Sequence, residues 1–268
     1  MTYIVKNSII DFKKIITMGQ FFMYKELNND VFLIQSSNKI CQIEIEDNIS
    51  ILTSDNIEYW KHYFDLERDY NDINNYLKAF VLKHNDIRSY KCILNESKIK
   101  VCNQPYLETC IEYLLSAQNN IKRIRKSMFA LLDFGEIYYD DSIGIEYRSF
   151  PNLEKLLTLN ETDFVNCGAG FRAKYIIEFL KNYKEIDCSL SYNEIIKFLL
   201  QYKGIGPKVA NCIALYGLNQ IDAFPIDVWI QKYLDKYPQN NPFIIPDKYA
   251  GILQVYIYQN IRNLKESL

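Results

Sequence analysis

Two hydrophobic rhythms divide the chain. Near the start, the apolar run Val31–Gln35 meets a polar turn, Ser36-Ser37-Asn38-Lys39, and then Ile40-Cys41-Gln42-Ile43-Glu44-Ile45-Glu46 alternates residue by residue. Period-two alternation on either side of a short polar turn predicts a β-hairpin. Phe21-Phe22-Met23-Tyr24-Lys25 predicts a preceding strand, and Ile57 to Phe64 and Ile73 to Val81 predict short helices. The first hundred residues therefore read as a small α+β layer on an antiparallel sheet.

From about Pro105 the spacing becomes helical. Leu107, Cys110, Ile111, Leu114 and Leu115 form one stripe; Ile121, Ile124, Met128 and Leu132 form the next, ended by Gly135. Pro151 opens a short helix through Leu153, Leu156 and Leu157, and Tyr175, Ile176, Phe179, Leu180 and Tyr183 mark another. Ser191-Tyr192-Asn193-Glu194 has the capping-box pattern before Ile195, Phe198, Leu199 and Tyr202. Val209, Ile213 and Tyr216 form the inner stripe of a helix ended by Gly217, and the last helix is expected from about Asp247 to Leu264. The expected fold class is α+β: an N-terminal domain, 1–100, with the antiparallel sheet, and a mainly α-helical domain, 101–268, containing a helix-hairpin-helix near 203–207.

Composition narrows the function classes. Hydrophobic content of 49% with 24% charge in 268 residues is that of a folded chain. No apolar run reaches membrane-spanning length and the start does not read as a signal peptide, so the expected location is cytoplasmic, or nucleoid-associated if prokaryotic. The seven cysteines (41, 92, 102, 110, 167, 188 and 212) include no CxxC pair, and the histidines are only His62 and His84. A disulfide framework, a zinc site and histidine triad chemistry are all disfavoured. The net charge of −2 neither supports nor excludes nucleic acid, because Lys122, Arg123, Arg125 and Lys126 form a local basic cluster.

The most informative stretch is Gly204-Ile205-Gly206-Pro207-Lys208, with Asp227 nineteen positions on. The glycines allow a tight turn whose amides can approach a phosphate, and proline suits the first helical position. A lysine at a helix N-terminus sits badly with the helix dipole. The same field favours the uncharged, nucleophilic amine. Asp227 precedes the helical run Val228 to Tyr237, where it can act as an N-cap; a carboxylate there could also stabilise positive charge on a sugar. On these residues alone, a DNA-binding hairpin and an enzyme both remain open.

Gly204 to Cys212 followed by Pro225-Ile226-Asp227-Val228 resembles the lysine-bearing, bifunctional branch of the helix-hairpin-helix glycosylases. Four further segments narrow the resemblance to the 8-oxoguanine DNA glycosylases, in order along nearly the whole chain. They are Gly19-Gln20-Phe21-Phe22, Ser116 to Ile124, Gly168-Ala169-Gly170-Phe171-Arg172-Ala173-Lys174-Tyr175, and Tyr249 to Tyr258.

The resemblance implies that Lys208 attacks C1′ of the damaged nucleoside and that Asp227 stabilises the cationic sugar. It implies no metal or organic cofactor. It places Cys212 and Tyr258 on the two faces of the flipped base, Gln254 on its Watson–Crick edge, and the Gly19 carbonyl opposite the N7 proton that 8-oxoguanine has and guanine lacks. Phe171 would be the wedge, and Arg123 and Arg172 would contact the estranged cytosine. Gln118 and Asn119 would line the vacated space, and Gly204 and Gly206 would meet the DNA backbone. The implied partner is double-stranded DNA containing oxidised guanine, met by a monomer with no membrane. The chain departs from the family pattern at Gln118, where an asparagine is common, and at Trp229, where a histidine is common.

Three other readings compete. One is a non-enzymatic helix-hairpin-helix DNA-binding module, which gives Lys208 no role beyond charge. Another is a glycosylase of the same superfamily acting on another oxidised base. The iron–sulfur branch carries a four-cysteine cluster after the aspartate, and here no cysteine follows Cys212. The third, a protein-interaction helical domain, leaves these matches unexplained.

Overall fold

A computed structural model describes residues 1–186 and 190–266, with side chains through 263. Cys188 lies outside the described residues. The N-terminal sheet is formed by β1 (Thr2–Lys6), β2 (Tyr24–Asn28), β3 (Val31–Ser36), β4 (Lys39–Ile45) and β5 (Ile49–Thr53), with α1 (Phe12–Thr17) between the first two strands. All pairs are antiparallel, in the order β1-β5-β4-β3-β2. The hairpin stands as the alternation predicts: Phe32 lies opposite Ile43, Ile34 opposite Cys41, and all four side chains are buried. Their face packs under α2 (Ile57–Tyr63), whose Trp60 and Tyr63, with the following Phe64, are fully enclosed. Burying each such aromatic stabilises the fold by about 2–3 kcal/mol.

The predicted strand at Phe21 begins three residues later, at Tyr24. Phe21, Phe22 and Met23 are all buried, so successive side chains do not alternate between core and solvent there. The helix expected at Ile73 to Val81 extends to α3 (Tyr70–Lys83), because Asp69 caps it by accepting from the amide of Asn71 at 2.8 Å. It is followed by α4 (Ile87–Glu96), capped in the same way by Asp86.

The remainder is built mainly from helices: α5 (Tyr106–Ser116), α6 (Ile121–Leu131), α7 (Leu153–Thr158), α8 (Glu161–Asn166), α9 (Ala173–Lys181), α10 (Tyr192–Leu199), α11 (Pro207–Gly217), α12 (Val228–Leu234) and α13 (Ala250–Glu266). An antiparallel hairpin of β6 (Ile137–Asp140) and β7 (Ile145–Arg148) interrupts them, in a stretch of the mainly α-helical region where the sequence pattern marks no element. The capping box forms as read: Ser191 Oγ accepts from the Glu194 amide, and the Glu194 carboxylate accepts from the Ser191 amide. α13 begins at Ala250, three residues later than expected, and packs along α4. One continuous apolar core joins the sheet, α4, α5, α11 and α13.

Candidate active site

The helix-hairpin-helix consists of α10, the turn 200–206 and α11. Gly204 takes φ +87°, and a Cβ there would lie 2.8 Å from Cβ and Cγ of Tyr175. Both the left-handed backbone and the close approach require glycine. Ile205 is buried and anchors the turn, while Gly206 caps α11 with its Cα open to solvent and Pro207 supplies the first helical residue. Lys208 is thereby set in the first turn of α11, half-buried, with Nζ donating to Ser116 Oγ at 3.2 Å. Its ammonium also lies 5.1 Å from the centroid of the Tyr113 ring.

Asp227 caps α12: one carboxylate oxygen accepts from the amides of Trp229 and Ile230, each at 2.9 Å. Lys208 and Asp227 both line a cleft of about 960 Å³, together with Gly19, Ser116 to Lys122, Trp229 and Tyr258. Beside it lies a smaller chamber of about 70 Å³, lined by Lys208 and Asp227 and by Gly19, Cys212, Gln254 and Tyr258. The two spaces share Gly19, Tyr113, Lys208, Asp227 and Tyr258 as walls. The fold thus brings six separately predicted residues, drawn from four distant segments, around one chamber.

Each wall has a definite chemistry. Burial pushes the Cys212 thiol above its ordinary range, and Lys208 beside it opposes that shift. Burial also raises the Tyr258 hydroxyl, which Arg262 counteracts. Gln254, 5% exposed, donates through Nε2 to the Pro225 carbonyl at 3.0 Å, and its Oε1 has no protein partner. A buried amide oxygen left open in a chamber wall is an acceptor available to a ligand.

The loop after α5 forms the outer rim. Gln118 is exposed with φ +49°, whereas Asn119 is committed locally, donating to the Leu115 carbonyl and accepting from the Asn120 amide, each at 3.0 Å. Asn120 caps α6. Phe171 projects at 51% exposure, and Arg123 is exposed on α6. Arg172 departs from the predicted direct contact. It is 3% exposed, and its guanidinium donates to the carbonyls of Ala117 (2.6 Å), Gln118 (2.8 Å) and Ala169 (3.2 Å) while lying 4.4 Å from the Phe171 ring. Those carbonyls draw it inward as a brace for the rim. Sequence reasoning did not single out Ser116 or Tyr113 as partners of Lys208; Tyr113 lies between the stripe positions Ile111 and Leu114, and no pattern marks it.

The fold sets a helix-hairpin-helix beside this chamber. In sequence and structure the chain is similar to 8-oxoguanine glycosylase/lyases. It matches the Clostridium acetobutylicum 8-oxoguanine glycosylase/lyase, solved with double-stranded DNA containing cytosine opposite 8-oxoG, with a TM-score of 0.83 at 26% identity, over 98% of this chain and 96% of that one. It is 33% identical over 152 residues to the N-glycosylase/DNA lyase OGG1 of Arabidopsis thaliana, covering 52% of this chain and 40% of that protein. It is 32% identical over 157 residues to the N-glycosylase/DNA lyase of Saccharomyces cerevisiae, covering 52% and 42%. The chain spans about two-fifths of the length of these curated relatives. No protein-family model matches it.

Proposed function

We propose that the chain is a bifunctional DNA glycosylase and abasic-site lyase that flips 8-oxoguanine out of duplex DNA and excises it. The observation that carries this reading is the convergence of Lys208, Asp227, Gly19, Cys212, Gln254 and Tyr258 on one chamber. The Lys208 amine forms a bond to C1′ as the N-glycosidic bond breaks, and the base leaves with the bonding pair and takes up a proton. Asp227 stabilises the positive charge that builds on the sugar, and its N-cap bonds hold the carboxylate in place as it does so. Ring opening yields the Schiff base; loss of a C2′ proton then expels the 3′ phosphate by β-elimination. Lys208 donates its lone pair in the first stage, and the iminium it has formed accepts the electrons of the C2′–H bond in the second.

Flipping a base costs a few kcal/mol of stacking and pairing, so the space left behind must be filled. Phe171 supplies the wedge and Gln118 the filler, with Arg123 facing the estranged cytosine. Arg172 serves the DNA through the rim it braces. Gly204 and Gly206 present backbone to a phosphate. The partner is duplex DNA.

Borohydride trapping on an 8-oxoguanine:cytosine duplex tests the reading. A covalent adduct should form with the wild type and vanish with Lys208→Gln. If no Lys208-dependent adduct forms across a panel of lesions, the enzyme reading fails; adducts only with oxidised pyrimidines overturn the substrate.

A further inference from the structure

Gly19 is the residue least able to hold its own orientation. Its φ is +92°, it has no side chain, and no described residue donates to its carbonyl. A Cβ would lie 2.9 Å from Ile121 Cδ1, so the position needs glycine and accepts its freedom. A recognition element that depends on the direction of this carbonyl must therefore be fixed by its neighbours.

Gln20, 1% exposed, is the next residue and is held on every polar atom of its side chain. Its Oε1 accepts from the Cys102 amide at 2.9 Å, and its Nε2 donates to the Lys100 carbonyl at 2.8 Å. Its backbone carbonyl receives two donors, Gln104 Nε2 at 2.7 Å and Tyr113 Oη at 3.0 Å. Both lone pairs of that oxygen are thus occupied. Gln104 is itself buried, and its Oε1 has no partner, so its side-chain amide is committed to this single bond at the cost of an unsatisfied atom. Burial of an amide for one donor is expensive unless the bond fixes something. Tyr113 is equally constrained: its ring stacks on Tyr216, with centroids 5.6 Å apart and planes within 8°. The same ring faces the Lys208 ammonium.

We propose that Gln104 and Tyr113 are positioning residues for base recognition: by saturating the Gln20 carbonyl they fix the Gln20–Phe21 peptide, and together with the side-chain anchors of Gln20 this holds the backbone that directs the Gly19 carbonyl offered to the N7 proton of the lesion. This rests on the 8-oxoguanine reading given above. It adds a physical link between the two ends of the bound nucleoside, because one tyrosine touches both the Gly19–Gln20 segment and the nucleophile.

The test compares two reactions of the full chain. Single-turnover excision of 8-oxoguanine requires the Gly19 carbonyl, whereas borohydride trapping on an abasic-site duplex has no base to read. Gln104→Met removes the donor while keeping length and apolar volume. Excision should fall about five- to tenfold relative to trapping, with trapping within twofold of wild type. Adding Tyr113→Phe should lower the same ratio further.

Gln104→Glu gives an independent arm. Protonated at low pH, its carboxyl can still donate to the Gln20 carbonyl; ionised, it sets two acceptors face to face. The excision-to-trapping ratio of this variant should therefore fall as pH rises, more steeply than in wild type. A ratio for Gln104→Met within twofold of wild type overturns the proposal, as does a parallel loss of both reactions. If Gln104→Met does not fold, the ratio for Tyr113→Phe decides in the same way. A wild type that excises only another base overturns the substrate reading and this proposal together, before any variant is compared.

Discussion

Asp227 does two jobs that a single substitution can separate. As an N-cap it satisfies the amides of Trp229 and Ile230 at 2.9 Å each; as an anion it faces the chamber that holds Lys208. Asparagine caps helices about as well as aspartate, so Asp227→Asn should keep both bonds and lose only the charge–dipole interaction, about 0.3–1 kcal/mol. Asp227→Ala loses the cap as well, about 1 kcal/mol more. At roughly 2–4 °C per kcal/mol for a chain near this size, Tm should drop by about 1–4 °C for the asparagine variant and visibly more for alanine. Catalysis should respond quite differently. Losing a preorganised charge beside a developing cation costs a factor of about 10²–10³, whichever residue replaces the acid. Single-turnover excision and thermal unfolding, measured on both variants, provide the comparison. If Asp227→Asn retains more than a tenth of the wild-type rate, or if rate losses follow the Tm losses, the carboxylate is a cap and nothing more.

Other outcomes can be checked directly. Gly204→Ala places a Cβ 2.8 Å from Tyr175 in a left-handed backbone, so it should destabilise the hairpin by about 2–4 kcal/mol and weaken binding to damaged and undamaged duplex alike in a gel-shift titration. Gly251→Ala drives a methyl to 2.5 Å from both the Ala223 carbonyl and Leu215 Cδ1; α13 should shift, lowering Tm by several degrees and weakening 8-oxoguanine excision more than abasic-site trapping. Glu112 is fully buried, with one oxygen accepting from the Phe22 amide and the other without a partner; burial, then the neighbouring Glu108, raises its carboxyl well above the ordinary range. The folded state therefore holds a proton that the unfolded chain releases above about pH 4.5, so this group costs stability as pH rises. Glu112→Gln should be close to wild type near pH 5 and gain in relative Tm by pH 8.

Local signals made much of this legible. The alternation in Ile40–Glu46, the capping box at Ser191–Glu194 and the Gly-Ile-Gly-Pro turn each encode their geometry within a few residues. The strand start at Tyr24 was misplaced because Phe21, Phe22 and Met23 all face the interior, where segment-to-segment packing rather than period-two patterning sets the backbone. The β6–β7 hairpin was missed because its strands are four residues each and lie among strong helical stripes. The chamber walls came from matching motifs, yet the partners behind them did not. Tyr113 lies off the apolar stripe of its helix and Gln104 precedes Pro105, and no motif marks either; only the folded chain shows both reaching the Gln20 carbonyl. The resemblance makes Arg172 a contact to the estranged cytosine, while the acceptors that bury it, the carbonyls of residues 117, 118 and 169, show only in the folded chain.

The long span of the chamber has a consequence for synthesis. Its walls run from Met18 to Tyr258, so the pocket closes only once α13 has been made. Lys208 and Asp227 both precede α13 in the chain. A chain that ends before α13 carries its nucleophile but neither Gln254 nor Tyr258 to select a base. A chain stalled before Ala250 is accordingly expected to trap abasic sites if it folds, and to leave oxidised guanine in place.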